Sequence, residues 1–207
     1  LRVLGRIPWW LAVFAVALLA RLGFLWASGE PLLYLHQYTY FNGGLRIAGH
    51  PAPLAYVLYS DEWRYWNGRW TIAPLYHLLA GAVFRLLGPH LLGLRLLQCV
   101  MDSIAAVGVA YLGRQAAGPR GAWAGLAYAV YFPAVEMTTW TMTENPHTPL
   151  LVSAVALLAH EAVRPRRATA LAAGVLAGLS ALARSVSTGF LALATLWRFW
   201  RRGPAGR

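Results

Sequence analysis

Six apolar runs decide most of what this chain can become. They cover residues 7–27, 91–112, 121–140, 147–163, 168–184 and 188–200. A hydrocarbon core ~30 Å thick takes about 20 mostly apolar residues as one helix, and every run but the last approaches that length. Inside a bilayer the backbone has no water to bond, so such runs must be helical. Composition agrees: 12% of residues are charged, against about 25% in an ordinary soluble domain. The expectation is an all-α fold, a polytopic membrane helical bundle of about six spans. It forms a single transmembrane domain over residues 1–207.

A seventh run, 72–87, is too short to cross, since its residues rise only ~24 Å as a helix. Arginine placement gives the same answer. All 18 basic residues are Arg, and cytoplasmic loops collect basic residues. Arg2 and Arg6 precede the first run. Arg114 and Arg120, then Arg164, Arg166 and Arg167, then Arg198, Arg201 and Arg202 mark later loops. These groups share one side only if 72–87 stays at the surface. Residues 28–90 then form one large external loop, with interfacial helices at 35–48 and 73–87, and the N-terminus is cytoplasmic. Tryptophan gathers at membrane boundaries. Here Trp9, Trp10, Trp123, Trp197 and Trp200 fall at the inner boundary, and Trp26, Trp63, Trp66, Trp70 and Trp140 at the outer one. Arginines scattered in this way make no single patch, so the net charge of +11 does not indicate a nucleic-acid partner.

In this threading five of the seven acids lie on or near the external face: Glu30, Asp61, Glu62, Glu136 and Glu144. Asp61 and Glu62 sit in "SDEWRYWNGRW", held at headgroup depth by Trp63, Trp66 and Trp70. External carboxylates at a membrane surface suit either a divalent cation, through hard oxygen ligands, or general-base work on a hydroxyl. A solvated loop tip paired to Arg64 or Arg69 is the plain alternative. Glu144, in "TMTENPHTP", stands where a span emerges beside Pro146 and Pro149; it is either a site carboxylate or part of a helix cap with Thr143 or Asn145. Arg184 ends the fifth span on the external side, where it meets either a lipid phosphate or ordinary headgroups. Asp102 falls near the midplane, a costly place for a charge, and a structural bond to Arg21, Gln98 or Ser103 would hold it there. Cys99, the one cysteine, reads as a core residue. No phosphate-cradling glycine loop and no H-E-x-x-H is present.

Taken in order, "HQYTYFNGGLRIAG" (36–49), "APLYHLLAGAVFRLLG" (73–88), the Arg-then-Gln helix opening "GLRLLQ" (93–98), "TMTEN" (141–145) and "GLSALAR" (178–184) resemble the GT-C membrane glycosyltransferases. The resemblance is to the superfamily of protein mannosyltransferases and lipid A aminoarabinose transferases. It implies transfer of a sugar from a polyprenyl-phosphate carrier to an acceptor hydroxyl outside the cytoplasm, with inversion at the anomeric carbon, in a bacterial cytoplasmic membrane.

With that resemblance in view, the candidate site residues are Asp61 and Glu144 as catalytic carboxylates, Arg184 as the phosphate contact, and Tyr40 and Glu62 as substrate contacts. A divalent metal cation is the one cofactor it admits. At the family's loop-acid position this chain has His36: either His36 serves as a base in its own right, or Asp61, heading a D-E-x-x-Y string that ends at Tyr65, takes over the role, or the site is lost. Family members also continue into further spans and an external domain, so a longer chain or a partner subunit is expected. Two other readings stay open: a non-catalytic scaffold subunit keeping the fold, and a lipid-carrier flippase partner.

Overall fold

The computed structural model describes residues 8–29, 33, 35–51 and 74–201. Among these the secondary structure is helical throughout: α1 (Trp9–Ser28), α2 (Leu35–Ala48), α3 (Leu75–Leu87), α4 (Leu91–Ala117), a 3-10 turn (Gly118–Ala122), α5 (Trp123–Ala129), α6 (Phe132–Met137), α7 (Glu144–Val163), α8 (Arg167–Ala183) and α9 (Ser187–Arg201). Helix α4 is the hub. It packs on α1 and α5 along one flank and on α7 along another, while α7 carries α8 and α8 carries α9. The pair α2–α3 packs together at the end where α4 begins.

Two helical stretches are long and apolar enough to cross a membrane, Trp9–Ser28 and Leu91–Ala129. The second is not one rod. Gly118 (φ 66°) turns the chain, the 3-10 turn brings Gly121 against Gly113, and α5 runs back along α4. The piece of span length is therefore α4 itself. Shorter apolar helices include Leu75–Leu87 and Arg167–Ala183.

The two short helices expected at 35–48 and 73–87 are present as α2 and α3. Helix α2 stops after Ala48 because Gly49, at φ 85°, takes the left-handed conformation open to glycine. Its N–H reaches Arg46 O at 3.0 Å and the next N–H, from His50, reaches Leu45 O at 2.8 Å, the paired closure of a Schellman end. Helix α3 lies on α2 through a core of Leu45, Tyr76, Ala80, Val83 and Phe84, which Leu94 of α4 completes.

The expected span 121–140 is divided. Pro133, in the first turn of α6, has no N–H to give, and its ring crowds the carbonyl four residues back. That carbonyl belongs to Ala129, and Nη1 of Arg21 takes it at 2.9 Å. Arg21 is fully buried; its Nε donates to Asp102 Oδ2 at 2.7 Å, and the Tyr128 hydroxyl donates to Asp102 Oδ1 at 2.7 Å. Of the three partners considered for the midplane Asp102, the structure selects Arg21.

Around this polar knot the packing is made by small residues: Val13, Ala17, Ala106, Ala110 and Ala129. Close backbone approach is how helices associate in lipid, where burying apolar surface gains nothing. Large apolar side chains instead face outward, with Leu19, Leu86, Leu171 and Leu193 each more than two-thirds exposed. A soluble monomer rarely shows so much exposed apolar surface; lipid is the solvent this exterior suits.

Gly125 tests the packing. A Cβ there would meet the Cβ of Ala110 and stand 2.7 Å from the backbone O of Ala106, and backbone does not yield. Gly125→Ala is expected to destabilise the α4–α5 hairpin by ~1–3 kcal/mol, as overpacking does. Thermal unfolding of the detergent-solubilised protein measures it, and an unchanged midpoint would mean the helices separate freely.

Candidate active site

Residues 138–143, the segment between α6 and α7, form the floor of one end of the bundle, and four elements hold it. From α4, Gln98 Nε2 donates to the carbonyls of Thr138 (2.7 Å) and Trp140 (3.1 Å), and Arg95 Nε donates to the carbonyl of Thr139 (3.0 Å). From α7, Asn145 Nδ2 donates to the carbonyl of Trp140 (2.6 Å). From α2, the Gln37 side-chain oxygen accepts from the Thr141 N–H (3.3 Å). The α3 hydroxyl of Tyr76 locks Gln98 by donating to its Oε1 at 2.5 Å. Such buried polar contacts fix a loop only when each is satisfied.

On that floor stands Glu144, the first residue of α7. One carboxylate oxygen is in ion-pair contact with Arg184, which caps the end of α8. The other accepts from Thr143 Oγ1 at 3.2 Å. Thr143 occupies the N-cap position but makes no side-chain cap bond, and Glu144 stands in the first turn of α7, where a helix favours negative charge. Arg184 is paired to this acid and keeps part of its side chain exposed.

Tyr40 of α2 completes the cluster. Burial pushes its phenol above the ordinary value, a hydrogen bond with Thr143 pulls it back, and the charges of Glu144 and Arg184 act on it in opposite directions. Behind the pair, His147 Nδ1 lies 3.1 Å from Ser180 Oγ and 3.2 Å from Ser187 Oγ. The corner between α8 and α9 is thus tied to α7.

Of the sequence candidates, Glu144, Arg184 and Tyr40 come together. Asp61 and Glu62 lie outside the described residues. His36 belongs to α2, and its side chain is outside the description as well. Arg95 and Gln98 are the pair of the "GLRLLQ" string, and an Arg and a Gln three apart in an apolar helix share a face; their main-chain acceptors at 138–140 are what the string does not reveal. Among the described residues no three His, Cys, Asp or Glu side chains gather as a metal set, and Glu144 is committed to Arg184.

His77 on α3 supplies a pH dependence. Burial lowers its imidazole from the ordinary 6.5 to about 4, with the Tyr40 ring 5.2 Å away. The unfolded chain takes up the proton near pH 6.5 and the folded one only near pH 4. Stability is therefore complete above that window and is lost as pH falls through it, by up to ~3 kcal/mol. Unfolding midpoints at pH 5 and pH 7.5 should differ in the native protein and converge in His77→Gln; an equal gap in both would assign the dependence elsewhere.

Fold and site together define a helical membrane protein with a carboxylate–guanidinium pair at one end of its bundle. The family model described as dolichyl-phosphate-mannose-protein mannosyltransferase matches residues 71–203, more than half of the chain, and the chain belongs to that family. It is a GT-C family of membrane glycosyltransferases that use sugars linked to dolichyl or polyprenyl phosphate. No curated protein and no solved structure matches the chain. Glu144 and Arg184 fall within the matched stretch; His36, Tyr40, Asp61 and Glu62 precede it.

Proposed function

We propose that the chain transfers a sugar from a polyprenyl-phosphate carrier to an acceptor hydroxyl on the non-cytoplasmic face of a bacterial cytoplasmic membrane. It crosses that membrane six times, with α2 and α3 on the outer surface. One contrast carries the reading. The carboxylate–arginine pairs Arg21–Asp102 and Arg184–Glu144 differ in access. Arg21 and Asp102 have side chains 0% and 8% exposed, whereas Arg184 and Glu144 are 39% and 30% exposed. The first pair is sealed and structural. The second stands at the end of the bundle, where an incoming phosphate can exchange with the carboxylate as the partner of Arg184.

In this mechanism a carboxylate removes the proton from the acceptor hydroxyl as its oxygen attacks the anomeric carbon. The bond from that carbon to the carrier's phosphate oxygen breaks, and the phosphate leaves with the electron pair. Configuration inverts. Arg184 stabilises the charge on the departing phosphate, and Glu144, released from Arg184, is the described candidate for the base. Asp61 and His36 are the further candidates from the external loop, with Tyr40 and Glu62 contacting substrate.

The test is transfer of a labelled sugar by the reconstituted full chain, from a polyprenyl-phosphate donor and from a nucleotide sugar. Transfer from the lipid donor alone is expected. Arg184→Ala should weaken donor binding by ~1.5–3 kcal/mol, the range of a charge-assisted bond. Unchanged donor affinity would remove Arg184 from the site, and no transfer from either donor would favour the scaffold reading.

A further inference from the structure

The opposite end of the bundle holds a second feature that the transfer reaction does not use. An apolar cavity of about 550 Å³ opens between α1, α4 and α7, lined by Trp10, Ile104, Val107, Ala156 and Leu157 among others. It shares Trp9, Tyr111 and His160 with an adjoining cavity of about 430 Å³, whose remaining walls include Arg114, Gln115 and Arg164. Both volumes lie in the range of built ligand sites, about 300–1,000 Å³.

The two compartments differ in chemistry. In the second, the Arg114 guanidinium lies 4.8 Å from the Trp9 ring centroid, and Gln115 Nε2 donates to the Tyr111 oxygen at 2.8 Å. That hydroxyl is 2.8 Å from His160 Nδ1. Among the described residues no carboxylate lines either compartment. Glu161 is buried and takes no part in the lining. Neither Arg114 nor Arg164 is in an ion pair among the described residues. His160 stands sixteen residues beyond Glu144 on α7, ~24 Å along the helix, so this cleft is remote from the Glu144–Arg184 pair.

We propose that this cleft is a binding site for an anionic phospholipid of the leaflet facing the arginine-rich loops. An acyl chain lies along the apolar compartment between α1 and α7, and the phosphate sits at the mouth between Arg114 and Arg164. A zwitterionic headgroup brings its own cation to that mouth and loses the advantage. Charge complementarity thus selects the occupant, as basic clusters beside membrane helices select anionic lipid.

Native mass spectrometry of the full chain in detergent, titrated with phosphatidylglycerol or phosphatidylcholine, tests this. One retained phosphatidylglycerol is expected, with phosphatidylcholine about thirty-fold weaker, the combined effect of two arginines near a membrane surface. Arg114→Gln with Arg164→Gln should bring phosphatidylglycerol down to the phosphatidylcholine level. Arg164 is exposed and Arg114 half-buried, so the fold is not at stake. Ala156→Trp, which fills the apolar compartment, should lower retention of both lipids. Glycerol phosphate at equal concentration should not compete. Equal retention of the two lipids, undiminished phosphatidylglycerol in the double variant, or full competition by glycerol phosphate would each overturn the proposal.

Discussion

Asp102→Ala should cost the protein about 3–5 kcal/mol, the penalty for breaking a buried ion pair by removing one partner. The loss exceeds that of a surface pair because Arg21 is fully buried and has no path to water. Its contacts to the carbonyls of Ala17 and Ala129, both 2.9 Å, survive the substitution but carry no full negative charge. The Tyr128 hydroxyl loses its acceptor as well. Replacing both partners, Arg21→Met with Asp102→Leu, should recover most of the stability, since an apolar pair of similar volume leaves no charge stranded. Unfolding midpoints of the three proteins in one detergent measure the effect. A mild Asp102→Ala, or a double variant as poor as the single, would mean that the network is not what joins α1, α4 and α5.

That network also shows how far the sequence can be read. Asp102 is conspicuous as an acid in an apolar run, and Arg21 is one of three partners within reach of argument. What the sequence does not carry is the vacancy that ties them to α5. It arises because Pro133 leaves the Ala129 carbonyl without its helical donor, and the same proline divides the expected span 121–140. Hydropathy averages over such a break, so 121–140 reads as continuous.

Helices α2 and α3 were legible for the opposite reason. The interval 35–48 ends at a glycine that takes the left-handed cap, and 73–87 has an apolar face of modest length between Pro74 and Gly88; local chemistry decides both. The pairing of Glu144 with Arg184 is not local. Forty residues separate them, and each string reads sensibly alone as a cap or a membrane-boundary arginine. Only the packing of α8 on α7 brings them together. The clamp of Arg95 and Gln98 on residues 138–140 is hidden in the same way, because its acceptors are main-chain carbonyls and carbonyls carry no sequence signature.

Glu144→Gln is expected to have the largest effect on function. The amide keeps the shape of the carboxylate and can still accept from Thr143, so α7 should begin where it does now. It cannot take a proton from an acceptor hydroxyl, and it no longer balances Arg184. Loss of a general base lowers rates by roughly 10²–10⁴-fold. The variant leaves Arg184 without its carboxylate partner, so donor binding should hold or tighten while turnover falls. That split separates a catalytic carboxylate from one that merely positions the arginine, whose loss would weaken donor binding as well.

The direct measurement is therefore single-turnover transfer of a labelled sugar from a polyprenyl-phosphate donor, with donor affinity measured alongside, in the reconstituted full chain and its Glu144→Gln form. A rate lower by at least about 100-fold with donor affinity retained is the result expected of a general base. A Glu144→Gln protein that transfers sugar at the native rate would contradict it and move the chemistry away from the Glu144–Arg184 end of the bundle.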